Sequence, residues 1–421
     1  MALTGAELYR HGDPGYRVAH YDLELDYKPS TGRVTARAVL AVVPVAPLTT
    51  VVLDLGTFRV DRVTVAGKPA RYSHREGKLR VRGPVTGPVA VEVRYSGTPR
   101  PIRTRYWGDV GWDELTDGVI VAGQPVGAPS WFPCNDRVDD KATYRIAVTA
   151  PASYTVVANG ALAECRVVGA KATWVYRQDA PMATYLATVQ IGRYERLSSS
   201  DGEVMVPPPL VRAAAHDFAR QPAMMSVFAR LFGSYPFEGY RVVVTADELE
   251  VPVEAQGLSI FGANHVDGRR GHERLVAHEL AHQWFGNSVG VADWQHIWLN
   301  EGFATYAEWL WSEYSGGPPA AVLAGRSRAS LSRLPQDLRV GAPTAGEMFD
   351  DRLYQRGALT LHALRTRVGD EAFFAILRTW TLTHRYGTAT TTDFTALAQY
   401  HTDAELGPLF TGWLFEPALP T

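Results

Sequence analysis

The hydrophobic pattern of this chain changes its period once. Before about Tyr194, apolar and polar residues alternate in short runs, and after it apolar residues recur every three or four positions. In the first run Tyr21 and Leu23 share one face while the acidic residues between them share the other, as in a half-buried strand. A period of two suits a strand and a period near 3.6 suits a helix. We therefore predict a β-rich N-terminal domain at residues 1–195 and an α+β domain at residues 196–421.

Seven further alternating runs in the first part are separated by Gly, Pro, Asp and Ser. Frequent short strands with turn residues between them predict an antiparallel β-sandwich or a saddle-shaped sheet. The predicted strands cover residues 34–43, 51–55, 60–65, 89–95, 144–149, 172–176 and 185–191. In the second part we predict one or two helices between residues 210 and 231, a strand at 241–246, and helices at 273–285 and 300–314.

Composition limits the possible partners. The formal net charge of the 421 residues is -2, and the arginines are spread along the chain without a basic run, so we expect neither nucleic acid nor an anionic membrane as a partner. The N-terminus lacks the apolar core of a signal peptide, and no stretch approaches the roughly 20 apolar residues of a membrane helix. We expect a cytoplasmic protein. Cys134 and Cys165 are expected to be buried free thiols.

A metal-binding pattern lies in the second part. Residues 278–282 read His-Glu-Leu-Ala-His in a segment without proline or glycine. Positions four apart lie on one face of a helix, so His278 and His282 can direct a ring nitrogen at one point. Two imidazoles at this spacing suit zinc. Glu279 lies beside them, where a carboxylate can take the proton of a water molecule as it attacks a carbonyl.

A second predicted helix offers a third ligand. Glu301 follows His282 by nineteen positions, in the segment Trp-Leu-Asn-Glu-Gly-Phe-Ala. Two histidines and one glutamate complete a catalytic zinc site that leaves the fourth position open, so we predict one zinc ion per chain. Thr305 and Glu308 lie four and seven residues beyond Glu301 on the same helical face, where they could orient the ligands.

Several segments together resemble the glutamate-zincin aminopeptidases typified by aminopeptidase N and leukotriene hydrolase. The resemblance covers both halves of the chain. It is carried by Trp284-Phe285-Gly286-Asn287, the segment around Glu301, Phe132-Pro133-Cys134-Asn135-Asp136, Lys141-Ala142-Thr143-Tyr144 and Pro181-Met182-Ala183-Thr184-Tyr185-Leu186. It implies a β-rich domain packed on a thermolysin-like α+β catalytic domain, with the site at their junction.

The resemblance also implies roles for three further residues. The family's Gly-Ala-Met-Glu-Asn loop, whose glutamate binds the substrate amine, corresponds to the stretch Val-Glu-Ala-Gln-Gly around Glu254. Glu248 and Glu250 are close competitors for that role. Gln124 falls where the family places a second amine-binding side chain. Tyr354, in Leu-Tyr-Gln-Arg-Gly, matches the tyrosine that donates a hydrogen bond to the oxyanion.

The chain also departs from the family pattern. The family usually carries a large helical C-terminal domain over the site, whereas this sequence stops after what resembles the end of the catalytic domain. We expect the cleft to be more open, or to be closed by another chain of a homo-oligomer.

These observations predict a zinc-dependent aminopeptidase acting on peptides with a free N-terminus. A thermolysin-like zinc endopeptidase is the alternative, and it would have no need of an amine-binding glutamate. A non-catalytic peptide-binding module is a third hypothesis, against which Glu279, Glu301 and Tyr354 all argue.

Overall fold

The computed structural model describes residues 11–199 and 202–420. The first part consists of strands joined by short turns. In chain order these are β1 Tyr16–Lys28, β2 Arg33–Pro44, β3 Leu48–Asp54, β4 Arg59–Val65, β5 Lys68–Pro69, β6 Arg71–Arg75, β7 Lys78–Val85, β8 Val89–Gly97, β9 Ile102–Arg103, β10 Asp109–Leu115, β11 Gly118–Ala122, β12 Lys141–Pro151, β13 Thr155–Ala158, β14 Ala161–Val168, β15 Lys171–Ala183 and β16 Val189–Gly192.

These strands form three sheets, which confirms the predicted β-rich domain. The largest has the order β14-β15-β12-β1-β2-β8-β4-β5, beside a five-stranded sheet β13-β16-β11-β10-β9 and a three-stranded sheet β3-β7-β6. One pairing departs from the antiparallel pattern, since β1 and β12 run parallel with Tyr21 opposite Tyr144. The two tyrosine rings stack with centroids 4.9 Å apart.

Two local predictions in this domain need correction. The strand predicted at 185–191 is a 3-10 turn, Thr184–Leu186, followed by β16. The side chain of Asn159 accounts for the break, because it accepts a hydrogen bond from the amide of Thr188 and donates one to the carbonyl of Leu186. Both cysteines are free, but only Cys134 is buried; Cys165 is exposed on the edge strand β14.

The second part mixes helices with a small sheet, which confirms the predicted α+β domain. Its elements are β17 Glu195–Ser199, β18 Gly202–Val206, α1 Val211–Asp217, α2 Gln221–Phe232, β19 Arg241–Val244, β20 Val253–Ala255, β21 Leu258–Phe261, α3 Glu273–Ala281, β22 Gly290–Val291, α4 Trp298–Tyr314, α5 Ala320–Leu331, α6 Asp351–Val368, α7 Asp370–Thr383, β23 Thr388–Ala389, α8 Thr391–Tyr400, α9 Gly407–Phe410 and a π-helical turn, Thr411–Phe415.

The sheet of this domain has the order β17-β18-β19-β21-β20, so that β20 is an edge strand. Since β17 begins at Glu195, the domain boundary between 195 and 196 stays a prediction. No helix in the described part of the chain has the length and apolar character needed to cross a membrane.

The helix predicted at 273–285 ends four residues early, at Ala281. The chain turns there because Trp284 and Phe285 are buried against the ring of Phe232. Gly286, with a φ of 115°, then reverses the backbone direction in a conformation that favours glycine.

Helix α4 is the central element of the domain, and its residues from Trp298 to Ala307 are all buried. It crosses α6 at two glycines. A Cβ added to Gly302 would lie 2.8 Å from the Cα of Gly357, and one added to Gly357 would lie 2.9 Å from the Cα of Gly302. Both separations are too short for carbon atoms, so neither position has room for a side chain.

Arg356 fixes the C-terminal segment to α6. Its guanidinium is buried and donates hydrogen bonds to the carbonyls of Gly412, Trp413 and Pro417 at 2.6–2.9 Å. Glu416 and Ala418 also accept from it. A lysine has three donors on one nitrogen and could not reach so many acceptors, whereas the arginine fork can.

The glycine crossing predicts a stability effect of single methyl groups. In Gly302→Ala and Gly357→Ala, the added methyl group must separate α4 from α6, and we expect the free energy of unfolding in urea to fall by about 1–3 kcal/mol. Gly325→Ala in α5 is the matched control, because a Cβ there meets no atom within 4 Å and should stabilise the helix by about 0.5–1 kcal/mol. Equal changes in the free energy of unfolding at all three glycines would contradict a close contact between α4 and α6.

Candidate active site

Helices α3 and α4 bring together the three predicted metal ligands. His278 lies in the last turn of α3, His282 follows its end, and Glu301 lies in the first turn of α4. The Nε2 atoms of both histidines are 3.5 Å from Oε2 of Glu301. All three side chains are buried, and one ligand atom from each lies within 4.8 Å of the other two.

Hydrogen bonds at the far side of each imidazole set its orientation. Nδ1 of His278 lies 2.8 Å from Oε1 of Glu308, and Nδ1 of His282 lies 3.0 Å from the carbonyl oxygen of Phe285. Each Nδ1 therefore has an acceptor, which leaves both Nε2 atoms free to bind a metal. Thr305, the other proposed orienting residue, is buried on the same helix, and its role stays a prediction.

The charges in the cluster favour a cation between the ligands. Burial would raise the pKa of Glu301, but His282 and His278 outweigh it and hold that pKa at about 2. Burial would lower the pKa of His282, yet Glu301 and Glu254 raise it to about 9. The imidazoles are thus drawn towards the charged form by buried carboxylates, and a divalent ion would satisfy the same negative potential.

Glu279 and Glu254 form a second carboxylate group beside His282. One ligand atom from each of the three residues lies within 4.8 Å of the others. Oε2 of Glu279 is buried, and no group in residues 11–199 or 202–420 donates a hydrogen bond to it. Burial raises the pKa of Glu279 to about 7 and also raises the pKa of Glu254. A buried carboxylate oxygen without a donor fits a site built to receive a water molecule or a substrate group.

Tyr354 reaches the cluster from α6. Its ring stacks over the imidazole of His278, with centroids 6.1 Å apart and an angle of 15° between the rings. The side chain is only half-buried, so its hydroxyl group can meet a bound ligand. Burial by protein atoms and the nearby Glu301 keep the pKa of the phenol well above its usual value, so it is a hydrogen-bond donor at neutral pH.

The candidates for the amine-binding group occupy different places. Glu254 lies on the edge strand β20 and reaches the cluster, whereas Glu248 and Glu250 are exposed in the preceding loop. Gln124 follows β11, and its buried Nε2 atom has no hydrogen-bond partner among the described residues. The neighbouring Gly123 packs against the backbone of Tyr185. The role of Gln124 stays a prediction.

Two side chains that sequence reasoning misses hold β20 in place. Gln283 and Asn287 both donate a hydrogen bond to the carbonyl of Ala255, at 3.1 and 3.0 Å, and Oε1 of Gln283 accepts from the amide of Gly257 at 2.8 Å. The segment after α3 thus fixes the backbone next to Glu254. Gln283 follows the second histidine directly and Asn287 ends the Trp-Phe-Gly-Asn segment that carries the resemblance, but neither position indicates a contact with β20.

A residue of the N-terminal domain supports the same segment. Lys141 Nζ donates hydrogen bonds to the carbonyls of Asn287 and Ser288, at 3.0 and 2.9 Å. Gln256 reaches back and donates to the carbonyls of Ala180 and Pro181. The junction between the two domains is therefore part of the structure that positions the site.

Two family models match these two parts of the chain. The model described as the Peptidase family M1 domain matches residues 218–413, and the one described as the Peptidase M1 N-terminal domain matches residues 18–186. The chain belongs to the peptidase M1 family. Zinc is the cofactor that this membership implies, and the cluster of His278, His282 and Glu301 is compatible with it.

Two curated relatives are longer than this chain. Aminopeptidase M1 of Arabidopsis thaliana is 27% identical over 334 residues, which cover 73% of this chain and 38% of that protein. Leucyl aminopeptidase of Saccharolobus solfataricus is 26% identical over 443 residues, which cover 96% of this chain and 54% of that protein. The chain thus spans about half the length, or less, of these curated relatives.

A solved structure of similar length also matches. The M1 zinc metallopeptidase from Deinococcus radiodurans is 31% identical, with a TM-score of 0.90 over 98% of this chain and 96% of that chain. Yeast LTA4 hydrolase shares the fold, with a TM-score of 0.84 at 19% identity over 70% of that chain. The two-domain M1 fold predicted from the sequence is confirmed.

The ligand set predicts how zinc content depends on Glu301. The wild-type protein should bind about one zinc ion per chain, and Glu301→Ala should lose most of it, because two imidazoles alone hold zinc weakly. Glu308→Gln should retain zinc with about 10–100-fold lower affinity, since it only weakens the orientation of His278. Elemental analysis after dialysis measures both variants. Stoichiometric zinc in Glu301→Ala would remove that glutamate from the ligand set.

Proposed function

We propose that this chain is a zinc aminopeptidase that hydrolyses the N-terminal residue from peptides. The observation that carries the proposal is the placement of Glu254, whose carboxylate lies within 4.8 Å of ligand atoms of both Glu279 and His282. An acidic group so near the metal ligands can bind a substrate ammonium group. The distance leaves room for one residue between that amine and the bond that is cut.

The side chains at the site have distinct roles in this reaction. His278, His282 and Glu301 would hold the zinc ion, which would supply Lewis-acid chemistry to the scissile carbonyl and to water. Glu279 takes the proton from the attacking water molecule and later passes it to the leaving amine. Tyr354 donates a hydrogen bond to the oxyanion as the carbonyl becomes tetrahedral.

Glu254 and β20 position the substrate. The carboxylate binds the α-ammonium group, with Gln124 as a second polar contact. Since β20 is an edge strand, its outer edge can pair with an extended peptide, which places the first peptide bond beside Glu279. Gln283 and Asn287 hold the strand while this pairing forms.

Relatives support peptides as the substrate class. A mutant form of the Deinococcus radiodurans M1 zinc metallopeptidase has been solved with a bound Tyr-Ser-Ala substrate. Two further structures show a mutant two-domain M1 zinc metallopeptidase bound to L-tryptophan and to L-arginine. The names of the curated relatives describe aminopeptidases. The cytoplasmic location and the homo-oligomer stay predictions.

The general-base role predicts a separation between metal binding and turnover. Glu279→Gln keeps the size of the side chain but removes the base, so zinc content should persist while kcat falls by a factor of at least about 100. Steady-state kinetics on an aminoacyl amide, together with elemental analysis of the same sample, provide both readouts. Near-normal turnover in this variant would exclude Glu279 as the base.

The amine-binding role predicts selectivity for a free N-terminus. Glu254→Ala removes a charge-assisted hydrogen bond worth about 2–4 kcal/mol. On substrates with a free N-terminus, kcat/KM should therefore fall about 30- to 1000-fold. Zinc content should not change. The matched controls are Glu248→Ala and Glu250→Ala, whose exposed carboxylates should be dispensable.

The same experiment separates the aminopeptidase from the endopeptidase alternative. The wild-type protein should reject N-acetylated versions of its best substrate, because they present no cation to Glu254. Equal cleavage of free and acetylated peptides would favour a zinc endopeptidase instead. Selectivity that survives in Glu254→Ala would move the amine-binding role to another residue.

A further inference from the structure

The three-stranded sheet β3-β7-β6 brings together arginines that are separated in the sequence. In its register Arg71 of β6 lies opposite Arg82 of β7, and Arg80 lies opposite Ser73 on one side and Val52 on the other. Because alternate residues of a strand share a face, the side chains of Arg71, Arg75, Arg80 and Arg82 all project from one face of the sheet. All four are exposed. We call these four residues the arginine face.

The arginine face has no compensating charge. Within residues 11–199 and 202–420, no carboxylate oxygen lies within 4.0 Å of any of its four guanidinium groups. The one acidic residue at matching register positions is Asp54, which is buried and paired with Lys78. Like charges directly opposite each other, as at Arg71 and Arg82, destabilise a sheet. A bound anion would offset the repulsion between these arginines, so their arrangement is consistent with anion binding.

The chemistry of the surrounding residues distinguishes among anionic partners. The aromatic side chains of β6 project to the opposite face, where Tyr72 donates to the carbonyl of Val60 and the ring nitrogens of His74 contact the carbonyls of Leu55 and Phe58. Single-stranded nucleic acid is bound through aromatic rings that stack on bases, and the arginine face offers none. It also offers no large apolar side chain of the kind that anchors a protein at a membrane interface.

We propose that the arginine face binds an extended acidic peptide segment. Alternate side chains of an extended chain are about 6.6–6.8 Å apart, and Arg80 and Arg82 are themselves alternate residues of one strand. Carboxylates at every second position of a peptide therefore match the spacing of the arginines. The planar guanidinium group binds a carboxylate through two parallel hydrogen bonds. The ligand is thus a segment with glutamate or aspartate at alternate positions, supplied by a partner protein.

Fluorescence anisotropy with a labelled, N-acetylated (Glu-Ala)6 peptide tests this proposal. Acetylation removes the amine that the proposed active site would bind, so the result does not depend on hydrolysis. We expect salt-sensitive binding, weakened at least about 10-fold in Arg80→Glu/Arg82→Glu, because the charges that attract the peptide are reversed. A second pair, Arg71→Gln/Arg75→Gln, should weaken binding less.

Arg326→Glu/Arg333→Glu is the matched control. Both arginines are exposed and lie in or just after α5 of the second domain. The change in net charge is the same as in Arg80→Glu/Arg82→Glu, and peptide binding should persist. Hydrolysis of a small aminoacyl amide should be unchanged in every arginine variant, which shows that each is folded. Equal weakening in the control pair, or no weakening in Arg80→Glu/Arg82→Glu, would overturn the proposal. So would tighter, face-dependent binding of a 12-nucleotide oligo(dT) or of phosphatidylserine vesicles.

Discussion

The close contact of α4 with α6 at Gly302 and Gly357 determines the geometry of the site. Glu301 precedes one glycine directly, and Tyr354 lies three residues before the other. Since a Cβ on either glycine would come within 3 Å of the opposing backbone, the crossing leaves no room for a side chain at these two positions. A ligand from α4 and a phenol from α6 are thereby brought to the same imidazole, that of His278. A larger residue at the crossing would separate α4 from α6 and so move Tyr354 relative to Glu301.

Buried ionisable groups are stabilised by an opposite charge or a hydrogen bond nearby. Glu301 is held ionised by the two histidines, and Glu308 supports the outer nitrogen of His278. Oε2 of Glu279 has no hydrogen-bond donor among the described residues, and burial raises the pKa of both Glu279 and Glu254. In the proposed function, the group of His278, His282 and Glu301 would hold the zinc ion, and the group of Glu279 and Glu254 would receive water and the substrate ammonium group.

A spacing of four residues on a helix predicted that His278 and His282 would face one point, and the structure brings both together with Glu301. The β-rich and α+β domains followed from the change in period, and the resemblance added Glu254 and Tyr354. Contacts between distant segments could not be predicted. The end of α3 at Ala281 depends on the burial of aromatic rings against α2. The hydrogen bond from Gln283 to the backbone of β20 forms only because tertiary packing brings the two segments together. The arginine face could not be predicted for a similar reason, since only strand register brings its residues together.

Diffraction from crystals of Glu279→Gln soaked with a free tripeptide, recorded on both sides of the zinc absorption edge, tests the proposed site most directly. We expect one anomalous peak per chain, in contact with His278, His282 and Glu301. The amino group of the tripeptide should lie within hydrogen-bond distance of Glu254, with the first peptide bond next to the substituted side chain. A zinc ion held by other residues, or a peptide that passes Glu254 so that an internal bond faces the metal, would contradict an aminopeptidase.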